Sequence, residues 1–63
     1  MTYYVVQKFC PSSLRWIDQD YYGQEELGKA IVVCRRIAQV DGCTAQVREI
    51  GSGNTVFSIS PSA

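Results

Sequence analysis

Histidine is absent from the 63-residue chain. That removes the commonest general base and the usual partner of a serine or cysteine nucleophile. Net charge is absent as well: six basic residues offset six acidic ones, leaving no field to gather nucleic acid or anionic lipid. No apolar run approaches the ~20 residues needed to span a bilayer. The opening Met1-Thr2-Tyr3-Tyr4-Val5-Val6-Gln7-Lys8 lacks the basic and then apolar regions of a signal peptide. Cysteine is scarce and odd in number. Cys10, Cys34 and Cys43 contain no CxxC and have no histidine to complete a zinc set of four. These absences set the expectation of a cytoplasmic, non-catalytic protein with no metal, no cofactor and no membrane contact.

A chain this short makes one domain, residues 1–63, ending in the small polar tail 60–63. With its own Met1 it reads as a complete gene product. Folding at this size buries only about 60% of the unfolded surface, so outside support is expected. Three cysteines and no histidine leave no ligand set for a structural metal. Three cysteines cannot all pair within one chain; Cys34 reads as a small core residue and the others as reduced thiols, with a Cys10–Cys43 bridge left open. Oligomerisation is the remaining prop, so a homodimer or higher oligomer is expected.

Gln24 to Val40 carries the one long helical pattern. Gly23 suits the N-cap, and Glu26 falls where its carboxylate reaches back to the cap amide. Gly42 suits the left-handed residue past the helix end. Leu27, Ala30, Ile31, Cys34, Ile37 and Ala38 form a core-facing stripe. Glu25 and Lys29 lie opposite, spaced for an ion pair. Gly28 and Val32, one turn apart on the polar side, are read either as tolerated residues or as a shallow notch for another surface.

Strand signals flank the helix in pairs. Thr2–Phe9 leads through the turn Cys10-Pro11-Ser12-Ser13 into Leu14 to about Gln19. Cys43–Ile50 leads through Gly51-Ser52-Gly53-Asn54 into Thr55–Ser60. The predicted fold is α+β, in the order β-β-α-β-β: a four-stranded antiparallel sheet with one helix packed on one face. A right-handed crossover gives the strand order 2-1-3-4. Ala45, Val47, Phe57 and Ile59 should meet the helix. On the first strand, either Tyr4 with Val6 or Val5 with Tyr3 and Phe9 must join them, and the pattern leaves this open.

Candidate chemistry is sparse. Cys34 sits mid-helix on the apolar stripe, and Cys10 precedes a proline with no base beside it. Asp18 and Asp20 are two apart, which on a regular strand puts both carboxylates on one side. They are read as a solvated edge rather than a metal site. Gly51-Ser52-Gly53-Asn54 leads into a strand, not the helix that a phosphate loop requires.

Six of the seven aromatics precede the helix: Tyr3, Tyr4, Phe9, Trp16, Tyr21 and Tyr22. Aromatics beside Arg15, Arg48 and Gln46 on a sheet are able to stack bases, but Trp, Tyr and Arg also dominate protein–protein hot spots. For an electroneutral domain the second use is preferred. Ile17 is the ordinary core residue of its strand, which places Trp16 outside with Leu14 and Asp18. The expected protein-binding set is Trp16, Arg15, Arg48, Gln46 and Leu14. Single-stranded nucleic-acid binding, or small-ligand sequestration by an oligomer, are the alternatives.

Two resemblances add to this. Tyr3-Tyr4-Val5-Val6-Gln7, Arg15-Trp16-Ile17-Asp18, and the Glu26…Ala30 helix followed by Gly42…Val47-Arg48 resemble small single-helix proteins of phages and prophages. That implies an accessory protein, or an inhibitor of a host system. Tyr4-Val5-Val6-Gln7, the alanine-containing helix and Gly42-x-x-Ala45-x-Val47 are similar to the opening half of a SPOR domain, which implies binding to peptidoglycan glycan strands. The chain departs from that repeat in its extra strand before the helix, its missing second helix and its missing export signal.

Overall fold

A computed structural model describes residues 1–61; Ser62 and Ala63 of the polar tail lie outside the described residues. The strands are β1 (Tyr3–Cys10), β2 (Arg15–Gly23), β3 (Ala45–Ile50) and β4 (Thr55–Ile59), with α1 (Leu27–Val40) between the two pairs. They form one four-stranded antiparallel sheet in the order β2-β1-β3-β4, the predicted α+β architecture.

The helix boundaries follow from local chemistry. Glu26 Oε1 accepts a hydrogen bond from the Gly23 amide at 3.2 Å, satisfying a donor that the helix leaves free. Its first turn, Gln24–Glu26, is a 3₁₀ turn leading directly into α1. Lys29 pairs at 3.5 Å with Glu26, three residues before it, rather than with the expected Glu25. At the other end the Asp41 amide donates to the Ile37 carbonyl, and Gly42 takes φ +65°. Only glycine enters that left-handed region without steric cost.

The open question on the first strand resolves in favour of Tyr4 and Val6. They pack with Ala30, Cys34 and Ile37 of the helix and with Ala45 and Val47 of β3. Phe57, Ile59, Leu27 and Ile31 close the margin, and the Arg35 guanidinium lies 5.6 Å from the Phe57 ring centre.

Two strand features depart from the sequence reading. Leu14 was expected inside the second strand, but it sits in the turn with φ +56°. The strand was expected to stop near Gln19, but it runs on to Gly23. The polar run Asp18-Gln19-Asp20 conceals that continuation, which β1 enforces by pairing Tyr4 with Tyr22 and Val5 with Tyr21. The register shifts once, because Val6 faces Asp20 while Gln7 faces Asp18. Gln19 is therefore the extra residue of a bulge. It reverses the side-chain alternation, so Asp18 and Asp20 point to opposite faces.

Candidate functional site: the open sheet face

One helix covers one face, and the other face carries the candidate site. Residues directly opposed across an antiparallel pair share a face, so the pairing fixes its membership. β1 contributes Tyr3, Val5, Gln7 and Phe9. β2 contributes Trp16, Asp18 and Tyr21, and β3 contributes Gln46, Arg48 and Ile50. Thr55 and Ser58 of β4 complete it.

A hydrogen-bonded row crosses all four strands at mid-height. The Tyr21 hydroxyl donates to Asp18 Oδ2 at 2.6 Å, and Gln7 Nε2 donates to Asp18 Oδ1 at 2.8 Å. Gln46 Nε2 donates to Gln7 Oε1 at 2.8 Å, and the Thr55 hydroxyl donates to Gln46 Oε1 at 3.3 Å. The row satisfies Gln46 although it is buried, and among the described residues no buried side-chain polar atom lacks a partner. Electrostatics follow the bonds. The Tyr21 hydroxyl, then Gln7, and more distantly Arg48 hold the Asp18 carboxyl below the usual carboxylate range. The same carboxylate pushes the Tyr21 hydroxyl up.

Apolar and aromatic groups flank the row on both sides. Trp16 packs edge-on against Phe9 with ring centres 5.3 Å apart, and remains 38% exposed. Towards the other end lie the exposed side chains of Tyr3, Tyr21 and Ile50, around the buried Val5. Arg48 is tied to the β3–β4 turn, donating from Nε and Nη2 to the Gly53 carbonyl at 3.1 and 2.8 Å.

Of the five residues expected at the surface, the fold brings together Trp16, Gln46 and Arg48. It does not bring Arg15, which opposes Cys10 on the helix side of β2, or Leu14, which lies in the turn. Sequence reading missed Gln7, Asp18, Tyr21 and Thr55 as a connected row. Gln7 was the available signal, being an amide that ends the aromatic and β-branched run Tyr3–Val6. Gly28 and Val32 lie with Tyr22, Lys29 and Val33 around a shallow, open depression beside the helix, which does not decide between tolerated residues and a notch for another surface.

Among the described residues no group of three or more Cys, Asp or Glu side chains is placed to hold a metal ion. No helix there is long and apolar enough to cross a membrane. Comparison with protein families, with characterised proteins and with solved structures finds no match to this chain.

Proposed function

We propose that this chain is a non-catalytic binding module that docks the open sheet face onto another protein, first of all a second copy of itself. The observation that carries the reading is the uncovered aromatic surface around Trp16, Phe9, Tyr3 and Tyr21, built on a row whose polar groups are already satisfied. Such a surface releases water on docking without stranding a buried donor or acceptor. Trp16, Tyr3 and Tyr21 are also of the residue types enriched at binding hot spots.

Electroneutrality supports the protein reading over nucleic acid, since no net charge opposes self-association and none collects phosphates. Arg48 is the one cation that the register places on this face among the described residues, and it is engaged by Gly53. The resemblance to phage and prophage proteins adds a host-system protein as the second candidate partner, blocked by occupation of its surface.

Trp16 is the sole tryptophan, so its fluorescence reports on this face. Sedimentation equilibrium at tens of micromolar is expected to show a species heavier than the 7.0 kDa chain, with Trp16 emission shifting to the blue as it forms. A 7.0 kDa species alone removes self-association. Salt-sensitive quenching of Trp16 by a single-stranded oligonucleotide would overturn the protein reading.

A further inference from the structure

We infer that Cys10 and Cys43 form a thiol pair that a low-molecular-weight disulfide such as oxidised glutathione converts into a cross-strand bridge between β1 and the segment entering β3. The register supplies the geometry. β1 and β3 pair without a shift from Tyr3–Ile50 to Lys8–Ala45. The ladder continues beyond the strand, since the Phe9 amide donates to the Thr44 carbonyl at 2.9 Å. One residue further, the same register sets Cys10 against Cys43.

Phe9 and Thr44 occupy a hydrogen-bonded position, so the cysteines occupy the next, non-hydrogen-bonded one. There opposed Cα atoms approach to about 4.5 Å, within the ~4.4–6.8 Å that disulfides span. Both side chains belong to the helix face of the sheet. Lys8, two residues before Cys10 on that face, reaches the Asp41 carboxylate at 3.6 Å, and Cys43 Sγ donates to the Asp41 carbonyl at 3.5 Å. The two thiols thus lie at one corner beside the helix C-terminus. Each is half-exposed and free, whereas Cys34 is buried in the core.

Cys10 is the attacking thiol, because its own turn supplies hydroxyl donors. Cys10 Sγ lies 3.1 Å from the Ser12 hydroxyl. Hydrogen bonds from Ser12 and Ser13 lower its pKa to about 6, so the thiolate predominates at neutral pH. It attacks one sulfur of glutathione disulfide. That S–S bond breaks, and one glutathione thiolate leaves and takes a proton from water. Cys43, giving its proton to solvent, then attacks the Cys10 sulfur and expels the second glutathione, which is protonated in turn. Two protein thiols are oxidised and one glutathione disulfide is reduced to two thiols. Burial raises the Cys34 thiol and keeps it out of the exchange.

The test is titration of the purified full chain with glutathione redox buffers, followed by denaturation, alkylation and intact mass measurement. The expected product is a monomeric chain two hydrogens lighter that takes up one alkyl group instead of three, with its linkage mapped to Cys10 and Cys43. Closing this loop should raise the melting temperature by roughly 10 °C or more. Cys43→Ser should stop one step earlier, carrying one glutathione on Cys10 with no comparable rise. A wild-type chain that retains glutathione on Cys10, cross-links only between chains, or links through Cys34 would overturn the inference.

Discussion

Beneath the helix, Val6 and Val47 face each other with no exposed surface, and Ala30, Cys34 and Ala45 close around them. On the opposite face of the same two strands, Val5 and Gln46 are only 7% and 8% exposed although no element lies above them. The covered face achieves burial with aliphatic atoms that touch. The open face achieves it laterally, because Val5 lies between Tyr21 on one neighbour and Arg48 on the other, and Gln46 between Gln7 and Thr55. A central strand can therefore be shielded on a face that remains open, leaving the flanking Tyr3, Trp16 and Tyr21 exposed. The covered face should be intolerant of lost volume, and the open face of lost partners.

The widest separation between the faces should come from Ile37→Ala. That side chain lies in the helix-face core, and truncation should cost about 2–4 kcal/mol of folding stability, measured by urea denaturation. A cost under about 1 kcal/mol would mean that this core collapses around the gap, and the contrast with the open face would vanish.

Trp16→Ala addresses the other face. The fold should survive, since the residue loses mainly its edge-on contact with Phe9, roughly 0.5–1.5 kcal/mol. Association should weaken by about 2 kcal/mol or more, the hot-spot scale. An unfolded variant, with a loss of about 3–5 kcal/mol, would make Trp16 a core residue and end its assignment to the docking surface.

The hydrogen-bonded row is sharpened by a double-mutant cycle. Gln7→Leu and Gln46→Leu should each destabilise by about 1–3 kcal/mol, because each strands the other's amide. The double variant should cost less than the sum, giving a coupling of about 1 kcal/mol. Strict additivity would show that the 2.8 Å contact between them contributes nothing in solution.

The smallest effect concerns pH. Asp18 is held below its ordinary range by Tyr21 and Gln7, so its ionised form is favoured in the folded chain. Its contribution is present above the unfolded carboxylate pKa and lost as pH falls through the lower folded value. Thermal melts should therefore decline on the acid side of the ordinary aspartate range, and Tyr21→Phe should reduce that decline. A carboxylate resonance for Asp18 that titrates at the same pH in both proteins would break the proposed link.

Much of the architecture was legible because it rests on local chemistry. Gly23 with Glu26 starts the helix and Gly42 ends it. The Leu27–Ala38 stripe gives its buried side, and the Gly51–Asn54 turn closes the second hairpin. The site was less legible. Tyr3, Tyr4, Val5 and Val6 are apolar on both alternations, so periodicity had no polar face to identify. Residue type alone points to Trp16, Gln46 and Arg48, whereas Arg15 and Leu14 neighbour Trp16 in sequence but are separated from it by the strand alternation and the turn.

By itself, then, the sequence determined the number, kind and order of the elements, because caps, turns and periodicity act within a few residues. Only the tertiary structure decided which alternation of β1 lies beneath α1 and where Gln19 bulges. It likewise decided that Asp18 and Asp20 part company and that Gln7 meets both Asp18 and Gln46. Those outcomes depend on register between strands distant in the chain, and a shift of one residue exchanges every side chain between the two faces.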